Sequence, residues 1–249
     1  IFKNKTLLFL PKEFTGFLTI RSQSGDVYIN KISNYCMVDV TAVSGDFLLA
    51  HSTLKRVQAD LKSGDIVISN TSANVFHVNG HSGMLDSNDV DAKEEISYHT
   101  ISGNMGLENI NTKNFFVDTK SGKIAVNGLT SENIDLVTDT GLMLLNNLTG
   151  SGNIKSDMGK INLSLAEKSK FNLSIQSKVG NISVNVPPAI FFKFKINTKK
   201  IGPTDFPLDA IIYGNDDYDK IEGYVGKEDS TNLIDISSKV GKVSIKNQN

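Results

Sequence analysis

One glycine recurs at near-constant spacing along most of the chain, and nothing else in the sequence constrains the fold as tightly. It stands in Ser24-Gly25-Asp26, Ser44-Gly45-Asp46, Ser63-Gly64-Asp65, Ser82-Gly83-Met84, Ser102-Gly103-Asn104, Ser121-Gly122-Lys123 and Thr140-Gly141-Leu142. Looser versions follow at Met158-Gly159-Lys160, Val179-Gly180-Asn181 and Val240-Gly241-Lys242. Successive steps between the first nine glycines are 20, 19, 19, 20, 19, 19, 18 and 21 residues. A period of this size marks a repeat architecture, in which each unit buries its apolar face against its neighbours.

Apolar residues keep fixed offsets from that glycine. Two and four positions after it stand pairs such as Val27/Ile29, Phe47/Leu49, Ile66/Ile68 and Ile124/Val126. Seven and five positions before it stand Val38/Val40, Phe76/Val78, Ile96/Tyr98 and Phe115/Val117. Polar residues fall between them, so one face is buried and one is wet, which is the period of a β-strand. Each repeat thus reads strand, glycine corner, strand, second corner. The glycine suits a corner that needs positive φ. The second corner carries a polar residue five after the glycine and an apolar one seven after, as in Asn30/Ile32, Asn88/Val90 and Asn127/Leu129. Asparagine tolerates the left-handed backbone expected there.

Two stackings fit these offsets. In an all-β solenoid of about ten coils, equal offsets lie in parallel register. In stacked antiparallel hairpins, each Ser-Gly becomes a two-residue turn. The constant period and the ladders of like residues favour the solenoid, a rod on the order of 50 Å at ~4.8 Å per coil. The chain reads as a single β-repeat domain over 1–249, with regular coils over 17–186, an excursion or cap over 187–232 and the last coil over 233–247. The excursion opens at Pro187-Pro188, carries Phe191, Phe192, Phe194 and Phe206, and has loop signals at Gly202-Pro203 and Asn215-Asp216-Asp217. Its expected part is to cover the end of the stack and block edge-to-edge association; a ligand-binding flap is the alternative.

Composition narrows the function classes. With 26 basic and 27 acidic residues and a net charge of −1, the chain lacks the basic face a nucleic-acid binder needs. Arg21 and Arg56 are the only arginines, so bidentate recognition of phosphate or carboxylate is poorly supplied. Cys36 stands alone, excluding an intrachain disulfide and a cysteine-based zinc site. No apolar run is long enough to span a bilayer. The start at Ile1 suggests that an upstream part was removed, and membrane contact is expected only through such a segment.

The Ser-Gly-Asp corner followed by alternating apolar residues, as in Ser63-Gly64-Asp65-Ile66-Val67-Ile68, resembles a bacterial domain family of unknown function named putative adhesin, with repeats of the toast-rack type. The likeness covers roughly Phe17 to Val186 and the closing coil Ser237–Ile245. It implies a β-repeat fold and a cell-envelope or extracellular setting, sometimes in proteins joined to envelope-stress responses. It brings no catalytic residues with it. Met84, Leu142 and Lys160 replace the corner aspartate in later coils and depart from the pattern.

Within the chain itself, a solenoid stacks Asp26, Asp46 and Asp65 in successive coils. Like charges at that spacing repel unless a cation or hydrogen bonds offset them, so a calcium site is physically sensible. The plainer expectation is that these aspartates cap their own turns and face solvent. His77 and His99 fall at neighbouring outward offsets, while His51 and His81 lie elsewhere; two imidazoles without a carboxylate partner make a poor metal site. The outward residues Tyr28, Leu48 and Val67 form a stripe that is either a partner surface or ground covered by the segment Thr6–Leu10 or by the excursion. No nucleophile elbow, zinc-protease helix or phosphate loop occurs, and no cofactor is expected. The expectation is a non-enzymatic structural or interaction module that presents a ridged face to a protein or an envelope polysaccharide. A carbohydrate-active β-helix enzyme and a self-assembling scaffold are the alternatives.

Overall fold

A computed structural model describes residues 8–11, 13–33, 35–198, 206–207, 209–214 and 220–248. Its first coils are built from β1 (Phe17–Ser22), β2 (Val27–Asn30), β3 (Met37–Ala42), β4 (Phe47–Ala50) and β5 (Arg56–Leu61). Five long bent strands follow: β6 (Ile66–Ser82), β7 (Leu85–Ser102), β8 (Met105–Ser121), β9 (Ile124–Thr140) and β10 (Met143–Met158). Then come β11 (Ile161–Leu165), β12 (Asn172–Val179), β13 (Ile182–Val186), β14 (Phe192–Thr198), β15 (Ala210–Gly214), β16 (Lys220–Val225), β17 (Leu233–Val240) and β18 (Val243–Asn247).

Corresponding strands of successive coils pair in parallel: Ile66 opposes Leu85, Leu85 opposes Met105, and Met105 opposes Ile124. The stack is a β-solenoid of about nine turns, the number bracketed by ten corner glycines. The antiparallel-hairpin alternative is thereby excluded. Residues two and four after each glycine, and seven and five before it, point inward and merge into one continuous apolar core. Phe47, Phe76, Phe115, Leu145 and Ile236 are among its fully buried members.

The glycine corner has two physical causes. Gly45 has φ +111°, and a Cβ there would sit 2.4 Å from the Gly25 carbonyl oxygen. At Gly141 close approach alone decides, with a Cβ placed 1.8 Å from the Gly122 oxygen. The corners are stacked backbone on backbone, and no side chain fits between coils.

Two features of the coil differ from the expectation. The left-handed residue of the second corner lies six after the glycine, not five: Lys31, His51, Asn70, Asp89, Asn109, Gly128 and Asn147 hold it. Asn88 and Asn127 instead stay in the parallel ladder as outward rungs. The central coils, β6 to β9, also have a third, short segment. Between β6 and β7 the pairing runs over Ile66–Ser69, Thr71–Ala73 and Val75–Gly80, with breaks at Asn70 and Asn74, and resumes at Ser82. The strand is too short to show an alternation of its own, which hid it in the sequence.

The C-terminal order differs as well. β12 pairs with β17, β17 pairs with β14, and β14 pairs antiparallel with β16, which pairs antiparallel with β15. The chain therefore passes over one rung to lay down β14, and β17 later fills the gap. Phe192, Phe194 and Ile196 of β14 are buried, with Phe194 stacked on Phe206 at 5.2 Å between ring centroids.

Candidate functional site

The short third segment leaves a groove along the solenoid. Its inward residue stands nine after the corner glycine and is small in coil after coil: Ala73, Ala92, Thr112, Ser131 and Gly150, with Leu54 at one end. Small side chains there leave a concavity of about 1030 Å³ whose lining runs from the Gly25 coil to the Gly159 coil, seven rung steps or ~34 Å. Its polar floor is satisfied: the Ser131 hydroxyl has two carbonyl acceptors within reach of its one proton, Asn133 (2.9 Å) and Lys113 (3.1 Å). Gly150 is needed because a Cβ would lie 1.9 Å from the Ser131 carbonyl oxygen.

The two walls differ. One is the column eight after the glycine, Thr53, Ser72, Asp91, Asn111, Thr130 and Thr149, which is mainly hydroxyl and amide. Within it the Ser72 hydroxyl donates to Thr53 (3.3 Å) and the Asn111 amide donates to the Asp91 carboxylate (3.1 Å). The other wall, ten after the glycine, is Tyr35, Asn74, Lys93, Lys113, Glu132 and Ser151. Lys168 and Lys170 stand at the far end. Tyr35, 40% exposed, donates its hydroxyl to the Asn74 side-chain oxygen (2.7 Å), and the Lys93 ammonium lies 5.7 Å from its ring centre. Lysines outnumber carboxylates four to two along the lining, in a chain whose net charge is −1. Among the described residues no carboxylate pairs with Lys113, Lys168 or Lys170. Sequence reading missed this groove. The signal was there in the run of small residues nine after the glycine, but it lacks apolar character and so does not register as a buried position.

The corner aspartates lie on a different edge. Asp26, Asp46 and Asp65 each accept a hydrogen bond from a backbone N–H of the next coil, from Asp46 (3.1 Å), Asp65 (2.8 Å) and Met84 (2.7 Å) respectively. Asn104 and Asn181 do the same for Lys123 and Lys242. The side chain thus stitches one coil to the next where the corner offers no carbonyl. Among the described residues, no three His, Cys, Asp or Glu side chains converge as a metal site.

The stripe of Tyr28, Leu48 and Val67 is in register but short, since Asp86 and Gly106 continue it. Tyr28 is 64% exposed and donates to Asp26 (3.3 Å), whose charge raises the phenol pKa; Leu48 and Val67 are half-buried. Of the segment Thr6–Leu10, Thr6 and Leu7 lie outside the described residues, and Leu8 and Phe9 are exposed. The histidines are not brought together: His77 meets Glu95 at 2.9 Å and His99 meets Asp118 at 3.0 Å, while His51 and His81 are exposed. No helix among the described residues is long and apolar enough to cross a membrane.

The family described as Toastrack DUF4097 matches residues 1–97 and, overlapping them, 74–246. A crystal structure of a "putative cell adhesion protein" from Clostridium sporogenes ATCC 15579 is similar at 21% identity and a TM-score of 0.37. That likeness covers 53% of this chain and 56% of that one, about half of each. No curated protein matches. The two family matches together take in nearly every coil, so the chain, with its Ser-Gly-Asp corners, belongs to the Toastrack DUF4097 family.

Proposed function

We propose that the protein is a non-enzymatic interaction module of the cell envelope or extracellular surface, presenting one ridged β-face to a protein or an envelope polymer. The observation that carries this reading is the groove, where two aligned columns, eight and nine after the glycine, run through six successive coils and a third flanks them. A repeat that adds the same chemistry at every rung recognises an extended partner better than a compact one. Along the floor and the Thr/Ser/Asn wall the main chain is paired between coils, so an occupant there is met by side chains. Membership of the Toastrack family, whose resemblance implies an envelope setting, supports the location. Co-sedimentation with envelopes isolated from the source organism tests the reading. The chain is expected to pellet with them and to release no soluble fragments from their polysaccharide. Protein left in the supernatant would overturn the interaction role, and released fragments would favour the enzyme alternative.

A further inference from the structure

We propose that the groove takes a linear acidic polysaccharide, lying along the solenoid axis with its hydroxyl edge on the Thr/Ser/Asn wall and its carboxylates toward the lysine wall. The inference rests on the surface-module reading above and names the partner for it.

Three observations converge on that chemistry. The groove is long and open-ended, so its occupant is a polymer threaded past the ends rather than a small molecule held inside. Thr53, Ser72, Asn111, Thr130 and Thr149 offer hydroxyl and amide groups, each able to donate or accept, at five of the six rungs, with Asp91 at the other, which suits the ring hydroxyls of a sugar. The opposite wall concentrates positive charge. Lys93 and Lys113 stand one coil apart, and Lys168 and Lys170 follow three coils beyond Lys113, ~14 Å at the rung spacing. Lysines act as point charges and do not demand the planar, bidentate geometry of an arginine fork, so carboxylates spaced along a flexible chain can satisfy them. At the entrance Tyr35 offers a partly exposed ring beside Lys93.

Other polyanions fit less well. An extended peptide would gain most of its affinity by pairing with a free strand edge, and the coils flanking the groove are already paired on both sides. A polymer with charge but no hydroxyls leaves one whole wall unused. A neutral glycan leaves the lysines unused.

Binding of polygalacturonate, measured by titration calorimetry at low salt, is the direct test. Methyl-esterified polygalacturonate keeps the rings and removes the charge, and poly-glutamate keeps the charge and removes the rings. Polygalacturonate is expected to bind more tightly than either, and its affinity is expected to fall with added salt. Lys113→Gln combined with Lys170→Gln should weaken it about tenfold, since two exposed ion pairs are removed. Lys62→Gln with Lys120→Gln, exposed and outside the groove, should leave it unchanged. Unaltered melting of both variants would show that the fold is intact. Equal loss in the two double variants, or equal affinity for poly-glutamate, would overturn the proposal. If polygalacturonate fails to bind while isolated envelopes still retain the chain, the occupant is wrong and the surface role stands. If envelopes do not retain it either, both readings fall.

Discussion

Asp46 shows how much one corner side chain does in this fold. Its carboxylate accepts the Asp65 N–H at 2.8 Å, and its own N–H is accepted by Asp26. An asparagine in its place keeps the acceptor oxygen, as Asn104 and Asn181 already do in their coils. Asp46→Asn should therefore leave stability within about 0.5 kcal/mol, whereas Asp46→Ala should cost ~1 kcal/mol for the lost hydrogen bond. Calcium should leave the melting temperature of the wild type unchanged. A calcium-dependent rise abolished by Asp46→Asn would instead identify the three aspartates as an ion site. Asp135 makes the opposite case. Burial, with the Asp118 charge adding to it, raises its pKa above the usual carboxylate range. An acid whose folded pKa is raised carries no penalty below its unfolded pKa. The penalty builds as pH rises and is complete above the folded pKa. Asp135→Asn should therefore be more stable than wild type at neutral pH, with the gap closing as pH falls through the carboxylate range. Urea melts across that range check the sign, and a gap that widens toward acid would contradict it.

At the scale of the element, what could be read in advance was whatever leaves a period-two trace. The inward pairs at +2/+4 and −7/−5 carry apolar side chains on one face and polar ones on the other. The offsets alone also fit antiparallel hairpins, and it was the constant period with its ladders of like residues that favoured parallel register. Even the exception fits: Ser87 breaks the apolar column at +4, and in the same coil it faces the one buried hydroxyl at −5, Tyr98, at 2.9 Å. What stayed hidden was local backbone geometry. The left-handed residue at +6 is Lys, His, Asn, Asp or Gly in different coils, because several residue types accept that conformation when the next residue is anchored inward. The third segment has three paired residues and a floor of Ala, Thr, Ser or Gly, so hydrophobic periodicity cannot mark it. The groove is a consequence of that segment, which is why the candidate site was less legible than the coil that builds it. Tyr28, Leu48 and Val67 were legible as a stripe, but their column loses its apolar character at Asp86.

At the scale of the whole molecule, order along the chain and order along the rod part company only at the end. Up to β13, each coil stacks on the one before it. Pro187 and Pro188 then end the strand, and the Phe-rich segment they precede forms β14 one rung too far out, leaving a slot that β17 enters. Nothing in the sequence marks that slot, because Leu233–Val240 has the same alternation as every other coil strand. The consequence is energetic. In a stack built in chain order, Ile236 would belong to the last rung, as Ile20 belongs to the first. Here Ile236 is fully buried, with Ile175 on one side and Ile196 on the other, whereas Ile20 is only half-buried against the core. Ile236→Ala should accordingly cost about 2–5 kcal/mol, the range for an interior cavity, and Ile20→Ala markedly less. Hydrogen exchange gives the second arm. Ends of a repeat array open first, so Ile236→Ala should deprotect β12 and β14 together, the two strands that β17 joins. Equal costs for the two variants, or loss of protection in β14 with β12 untouched, would mean that the C-terminal coil is an end rung after all.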